Sequence, residues 1–397
     1  MNEPLFSVII LCYRRFEYLY SAIDSLLSQD YPNIEIVVSD DGSEFFPKER
    51  IEAYIRQYKG RNITSSIVRQ QPQNSGTVRH LNDAVQACGG RYITFLAADD
   101  NFYDEHTLTS YAAGFAQAPE DCCIEMAQTG MYDEDLETLS EYYLKPWVRE
   151  AIERTETDSS LLYTYMIRLG ACLPSTSTCF KREFFDKFGK FDEHYALVED
   201  YPTHVRLAKE GWVIHYANFV AIKHRHGGIS HGQSGTLSRS KKLYSEDSIR
   251  MIDEIMLKNL DVLPPEERTL AARQRERERD WIAFTIARLE GNRRRMIALA
   301  LRHPAYSLST VLNLFAGKIW RVWKPLSLAV AFLWLFSSTM ARMFETLTGW
   351  PAAAFSNILT VSAVCISVLW GCCAMILLFQ KLMSRIQRFP IETLRIG

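Results

Sequence analysis

Three pairs of acidic residues stand out as groups that could do chemistry. Asp99 and Asp100 close the apolar run "RYITFLAADDN", Asp40 and Asp41 close "IEIVVSDDGS", and Glu199 and Asp200 sit in "ALVEDYPTHVRLAKEGW". Adjacent carboxylates at the end of a strand repel each other unless something positive or rich in hydrogen-bond donors meets them. They can hold a divalent metal through hard oxygen ligands, or accept hydrogen bonds from hydroxyl and N–H groups of a ligand. Asp and Asn also favour helix N-caps and turns, so each pair alone has a plainer reading. Two further groups join them. Tyr13 and Arg15 follow the first apolar run, and "AIKHRHGGISHG" gathers His224, Arg225, His226 and His231 in a glycine-rich stretch. Tetrahedral zinc would want regular ligand spacing and a partner pair, and no Cys lies near these histidines.

The elements that must position these residues alternate. "FSVIIL", "IEIVVS" and "RYITFLA" read as buried parallel strands, with a short fourth near "ITSSIVRQ". Between them lie helical stretches: Leu19, Ile23, Leu26 and Leu27 at helical spacing before Pro32, a helix from Arg50 to Tyr58, and "TVRHLNDAVQAC" closed by Gly89-Gly90. Alternation of this kind predicts an α/β domain with a mostly parallel sheet flanked by helices. In such sheets ligands bind beyond the carboxyl ends of the strands, and there the Tyr13/Arg15, Asp40/Asp41 and Asp99/Asp100 clusters converge. Arg79 in "TVRHLND" is a candidate phosphate or base contact, with an exposed helical arginine as the plainer reading. Trp212 in "KEGW" is a candidate sugar platform, with a core aromatic as the plainer one.

The ordered set "SVIILCYRRFEYLYSAIDSLLSQDYPNIEIVVSDDGSE", "NSGTVRHLNDAVQACGGRYITFLAADDN" and "STCFKREFFDKFGKFDEHYALVEDYPTHVRLAKEGW" resembles the successive landmarks of family 2 glycosyltransferases with the GT-A fold, over roughly residues 5–232. The resemblance implies a Rossmann-like GT-A domain and a set of roles. Tyr13 would pack on the nucleotide base and Asp41 would accept from it, with Asp40 beside. Asp99 would contact the ribose and Asp100 a Mn2+ or Mg2+ ion; the first Asp of the family's Asp-x-Asp motif is replaced here by Ala97 or Ala98. Asp200, with Glu199, would supply the catalytic base. His226 would approach the metal or the pyrophosphate, and Arg225 would add charge to the phosphates. A divalent ion bridging the diphosphate would stabilise the leaving group, and one displacement by a deprotonated hydroxyl would invert the anomeric carbon. The Gln-x-x-Arg-Trp motif of processive relatives is absent, which favours transfer of a single sugar from a nucleotide-diphosphate sugar, a UDP-sugar being favoured.

The last quarter of the chain differs in character. Pro325–Ala341 carries no charge over 17 residues, about 25 Å as a helix, and Pro351–Phe379 none over 29, ample for a bilayer core of about 30 Å. Eight basic residues and one acidic residue lie between 281 and 325, and Lys381, Arg385, Arg388 and Arg395 follow the second segment. Flanking charge of this sign predicts a transmembrane hairpin in the cell inner membrane with both termini and the catalytic domain cytoplasmic. The expected organisation is a GT-A domain over 1–237, a helical, basic, amphipathic juxtamembrane region over 238–324, and two transmembrane helices with a tail over 325–397. "EERTLAARQRERERDW" reads as a solvated helix face, and "NRRRMIALALRHPAYSLSTVLNLFAGKIWRVWK" suits an anionic leaflet. A net charge of −2 points away from nucleic acid, and nine cysteines without a signal peptide read as reduced thiols.

A lipid-linked or other glycan acceptor follows from the hairpin and its basic belt. A polyprenyl-phosphate acceptor is the close alternative, though the Glu199-Asp200 pair argues for a hydroxyl nucleophile that needs a base. A sugar-nucleotide-binding scaffold without turnover is the alternative from another class.

Overall fold

The computed structural model describes residues 3–170, 173–225, 239–302 and 337–348. The chain divides into two units, Met1–Arg293 and Arg294–Gly397. The first is built on a sheet of nine strands: β1 (Phe6–Cys12), β2 (Ile34–Asp40), β3 (Ile63–Gln70), β4 (Tyr92–Ala97), β5 (Asn101–Phe102), β6 (Ile124–Tyr132), β7 (Leu139–Tyr142), β8 (Thr178–Lys181) and β9 (His215–Arg225). Their order is β3-β2-β1-β4-β8-β6-β9-β5, with β7 beside β6.

The first half follows the alternation in the sequence. β1, β2, β3 and β4 are parallel, joined by α1 (Leu19–Leu27), α2 (Lys48–Tyr58) and α3 (Thr77–Ala87). Strands buried on both faces need apolar residues at successive positions, and all seven residues of β2 are buried. Alternate side chains serve opposite faces. Val8, Ile10, Ile36 and Val38 pack with Leu19, Ile23 and Leu26 of α1 and Ile51 and Ile55 of α2. Ile9 and Val37 pack with Val78, Leu81 and Val85 of α3.

The second half corrects the expectation of a mostly parallel sheet. Among the described residues, β8 runs antiparallel to β4 and β6, β7 antiparallel to β6, and β5 antiparallel to β9, while β9 is parallel to β6. The sheet is mixed because this half is not built from strand–helix–strand crossovers. β6 and β7 form a hairpin closed by Asp133, whose carboxylate accepts from the Glu137 and Thr138 N–H groups at 3.0 and 3.2 Å. β5 follows β4 by only a few residues yet pairs at the far end of the strand order, so this half curls back on itself.

Helices α4 (Thr107–Gln117), α5 (Pro146–Glu153), α6 (Ser160–Leu169), α7 (Arg182–Phe188) and α8 (Asp200–Glu210) complete the layers. α9 (Arg239–Met251) runs through a π turn and a 3-10 stretch to Val262 before α10 (Pro265–Leu289). These last helices belong to the same unit as the sheet. α10 is not only a solvated face: Arg275 and Asp280 are buried. The Arg275 guanidinium donates to the Arg168 carbonyl at 2.8 Å, satisfying an orphan acceptor at the end of α6. Arg168 in turn pairs with Glu267 at 2.9 Å.

In the second unit, α11 (Arg293–Arg302) buries none of its residues, and a further helix spans Ser337–Thr348. Among the described residues no helix is long and apolar enough to cross a membrane. Pro351–Phe379 and all but the last five residues of Pro325–Ala341 lie outside the described residues.

Candidate active site

Parallel pairing brings three strand ends level. Cys12 of β1 is in register with Asp40 of β2, and Leu11 with Ala97 of β4. The next residues continue the ladder, as the Asp41 N–H donates to the Cys12 carbonyl at 3.0 Å and that of Ala98 to Leu11 at 3.1 Å. The clusters at Tyr13–Arg15, Asp40–Asp41 and Asp99–Asp100 therefore share one edge.

The two carboxylates of the β2 turn do different things. Asp40 is fully buried and accepts from the Ser43 N–H at 2.7 Å and its hydroxyl at 2.5 Å, and from the Gln70 side chain at 3.2 Å. It builds the turn. Asp41 reaches across to the loop before α3, accepting from the Asn74 side chain, the Ser75 N–H and hydroxyl and the Gly76 N–H at 2.8 to 3.1 Å. Ser43 is also the acceptor, at 2.8 Å, for the N–H of Arg14, a non-glycine residue at φ 60. That uncommon conformation sets the half-buried Tyr13 and the exposed Arg15 at the mouth of the site, with the Arg14 guanidinium 5.0 Å from the Tyr13 ring centroid. Arg15 pairs with Glu17 at 3.2 Å, and its charge reaches Asp99.

At the end of β4 the short strand β5 turns the chain so that Asp100 faces the end of β9. Asp100 is fully buried. One oxygen meets His224 Nδ1 at 2.9 Å and the other accepts from the Arg225 N–H at 3.0 Å. Burial works against a charge on His224, but the hydrogen bond and the negative charge of Asp100 outweigh it and hold the imidazole above its ordinary pKa. Asp99 is half-buried, and burial followed by repulsion from Asp100 pushes its carboxyl upward. Arg225 is buried as well. Its guanidinium donates to the Asp99 carbonyl at 2.9 Å and to the Glu134 carbonyl, and lies 3.8 Å over the Tyr18 ring centroid. It orders the Asp99 backbone and the β6–β7 turn. His226 lies outside the described residues.

Glu199 and Asp200 stand at the start of α8. Tyr201 anchors this helix by donating its hydroxyl to the Met166 carbonyl at 3.0 Å. Asp200 accepts from the Tyr201 N–H at 2.7 Å. Burial, then the neighbouring charge of Asp200, pushes Glu199 up to about 8, against a hydrogen bond from Ser175. Burial also raises Asp200. The loop before them touches the β2 turn's partner: the Ala196 carbonyl accepts from the Val78 N–H at 3.2 Å. It also lies 2.7 Å from where a Cβ on Gly76 would stand, and Gly76 sits at φ +89.

Two candidates are held by other partners. Arg79 is exposed and pairs with Glu193 at 3.2 Å. Trp212 packs edge-on against Phe184 and Phe188 at 5.5 and 5.8 Å, a core role. Sequence reasoning did not single out His224, Asn74, Ser75 and Ser175 as partners of these carboxylates. The "NSG" before α3 is the available signal for two of them; the Ser175 contact leaves none.

Among the described residues no three His, Cys, Asp or Glu side chains gather as a metal cage. Mg2+ and Mn2+ do not require one: one or two carboxylates plus substrate phosphates suffice. The Asp99-Asp100 pair, in which burial and then mutual repulsion push Asp99 upward, offers the hard oxygen ligands that fit such an ion.

Residues 7–173 match the family model Glycosyl transferase family 2, and the relatives that the chain resembles are named glycosyltransferases. An uncharacterized glycosyltransferase of Rickettsia typhi is 29% identical over 226 residues, covering 56% of this chain and 64% of that protein. The chain thus spans under two thirds of that relative's length. WcaA of Escherichia coli K12, whose name assigns it provisionally to colanic acid biosynthesis as a glycosyl transferase, is 25% identical over 251 residues, 61% of this chain and 78% of that protein. The solved structure of S. aureus TarS 1-349 in complex with UDP-GlcNAc aligns at a TM-score of 0.43 and 18% identity, covering 74% of this chain and 88% of that one, a likeness too low to carry an inference.

Proposed function

We propose that the chain transfers a single sugar, with inversion, from a nucleoside-diphosphate sugar to a hydroxyl of a lipid-linked glycan acceptor at the cytoplasmic face of the inner membrane, in the assembly of a surface polysaccharide. The observation that carries the reading is the division of carboxylates. Asp41 and Asp99-Asp100 stand on the strand edge where a nucleotide fits, and the raised Glu199-Asp200 pair stands on a loop tied to that same edge through Ala196. Tyr13 offers a ring to the base, and Arg15 a charge beside Asp99. Asp100 would hold a divalent cation that, when bound, supplies Lewis-acid stabilisation of charge on the leaving diphosphate, and Asp99 would meet the ribose.

The rest of the chemistry belongs to the chain. A carboxyl with a raised pKa is a stronger base once ionised, and it takes the proton of the attacking hydroxyl as the new bond forms. Asp200, fixed by its helix, is the residue assigned to that task, and Glu199 shares the proton inventory of the pair. The charge-free segments beyond residue 325 and the arginines of α11 support a membrane location and a lipid-linked acceptor.

The test is release of free nucleotide from a panel of UDP-, GDP- and dTDP-sugars, with and without Mn2+. Turnover is expected on one donor class, lost by about 100-fold or more in Asp100→Ala and in Asp200→Ala. Unchanged turnover in both variants would sink the assignment.

A further inference from the structure

The loop that carries the base is held from outside by a helix beyond the family-matched stretch. Asp247 on α9 is 2% exposed, and one of its carboxylate oxygens accepts from two successive N–H groups, those of Ala196 and Leu197, at 2.8 and 2.7 Å. Its other oxygen meets Arg250 at 3.0 Å, and Arg250 also donates to the His194 carbonyl at 2.6 Å. Glu254 reaches the His194 ring at 3.1 Å. Hydrogen bonds to a buried carboxylate are among the strong ones, and the two from Ala196 and Leu197 fix backbone atoms rather than mobile side chains. Ala196 is thereby pinned on both sides, its N–H to Asp247 and its carbonyl to the Val78 N–H. Gly76, packed on that carbonyl, donates its N–H to Asp41 at 3.1 Å. A continuous path thus runs from the donor turn through Gly76 and Ala196 to Asp247. Asp200 lies three residues beyond Leu197.

We infer that Asp247 is a positioning residue: it sets where the Glu199-Asp200 pair stands relative to the donor turn, without touching substrate. This rests on the functional reading above. The path explains why α9 and α10 pack into the same unit as the sheet, since Arg275 and Arg250 fix them to α6 and to the base loop. A misplacement of a catalytic group by about 1 Å costs on the order of 100-fold in rate, whereas donor contacts on the strand edge are left intact. Loss of Asp247 should therefore fall on kcat.

The experiment uses the full-length chain and the donor that it turns over best in the panel above. Asp247→Ala is expected to lower kcat at least tenfold with the donor KM within threefold. Asp247→Asn, whose amide oxygen accepts the same two N–H groups, should restore kcat to within about threefold of the parent. Amide hydrogen exchange at Ala196 and Leu197 should be faster in the Ala variant and near the parent's in the Asn variant. Should Asp247→Ala not fold, Arg250→Ala loosens the same loop from the surface, with a smaller kcat loss of about threefold and the same unchanged KM. A parent chain that turns over while Asp247→Ala, or in its place Arg250→Ala, turns over equally, or loses affinity for donor in step with kcat, overturns this inference alone. A parent chain that turns over no donor overturns the functional reading and this one with it.

Discussion

Glu199 and Asp200 show how environment turns two similar side chains into a working pair. Both are raised, first by burial, and Glu199 further by the charge beside it. A base must be ionised to act, so activity should be lost as pH falls through the raised range, with Glu199 near 8 as its upper marker. Glu199→Gln removes the carboxyl that titrates last of the pair, the one raised by burial and then by the charge of Asp200. The part of the acid limb of the kcat profile near pH 8 should therefore disappear, so that the limb moves to lower pH, and a shift to higher pH would contradict the account. The types and places of the acidic pairs were legible in the sequence. Their partners were not, because they come from distant segments: His224 and Arg225 for Asp100, residues 74–76 for Asp41, and Asp247 for the base loop. Asp247 carries no signal of its own in the sequence, and only tertiary packing shows where its oxygens point.

At the scale of elements, the parallel half was readable because each strand is an apolar run between helical patterns. The curled half was not, since β5 has two residues and β8 four, too short for a periodic signal. That half also holds a strained internal arrangement. Glu125 of β6 is fully buried, and among the described residues its two oxygens have no hydrogen-bond partner, nor has the hydroxyl of Tyr111. Burial pushes Glu125 up to about 9, so it enters the fold protonated. A carboxyl raised on folding adds stability that is fully present below its unfolded pKa and is lost as pH rises through the folded value. Melting temperature should therefore fall between about pH 5 and 9. Glu125→Gln should flatten that slope and raise the melting temperature at pH 8 by roughly 5 °C. An identical slope in the variant would refute the burial reading. Gly114 on α4 makes room for this side chain, since a Cβ there would lie 1.8 Å from the Glu125 oxygen. Gly114→Ala should destabilise the fold by about 2–3 kcal/mol, and by clearly less in a Glu125→Ala background, a non-additivity that a double-mutant cycle reads directly.

For the whole molecule, the sequence places charge-free segments after residue 325 and arginines before them, while the described residues of the first unit form the candidate site. If the hairpin spans a bilayer, the full-length chain should stay with membranes through high salt and alkaline carbonate and leave only in detergent. Release by carbonate would restrict it to surface attachment through α11, where Ile297 and Leu301 are 60% and 75% exposed among arginines. Either outcome bears on the acceptor, because a spanning enzyme shares its membrane with a lipid-linked glycan. The central claim is transfer by one displacement with Asp200 as base, and the anomeric configuration of the product tests it most directly. Nuclear magnetic resonance of the product made from an α-linked donor should show only the β-linked sugar, with Asp200→Asn giving none in the same time. A product that keeps the donor's configuration would contradict the account.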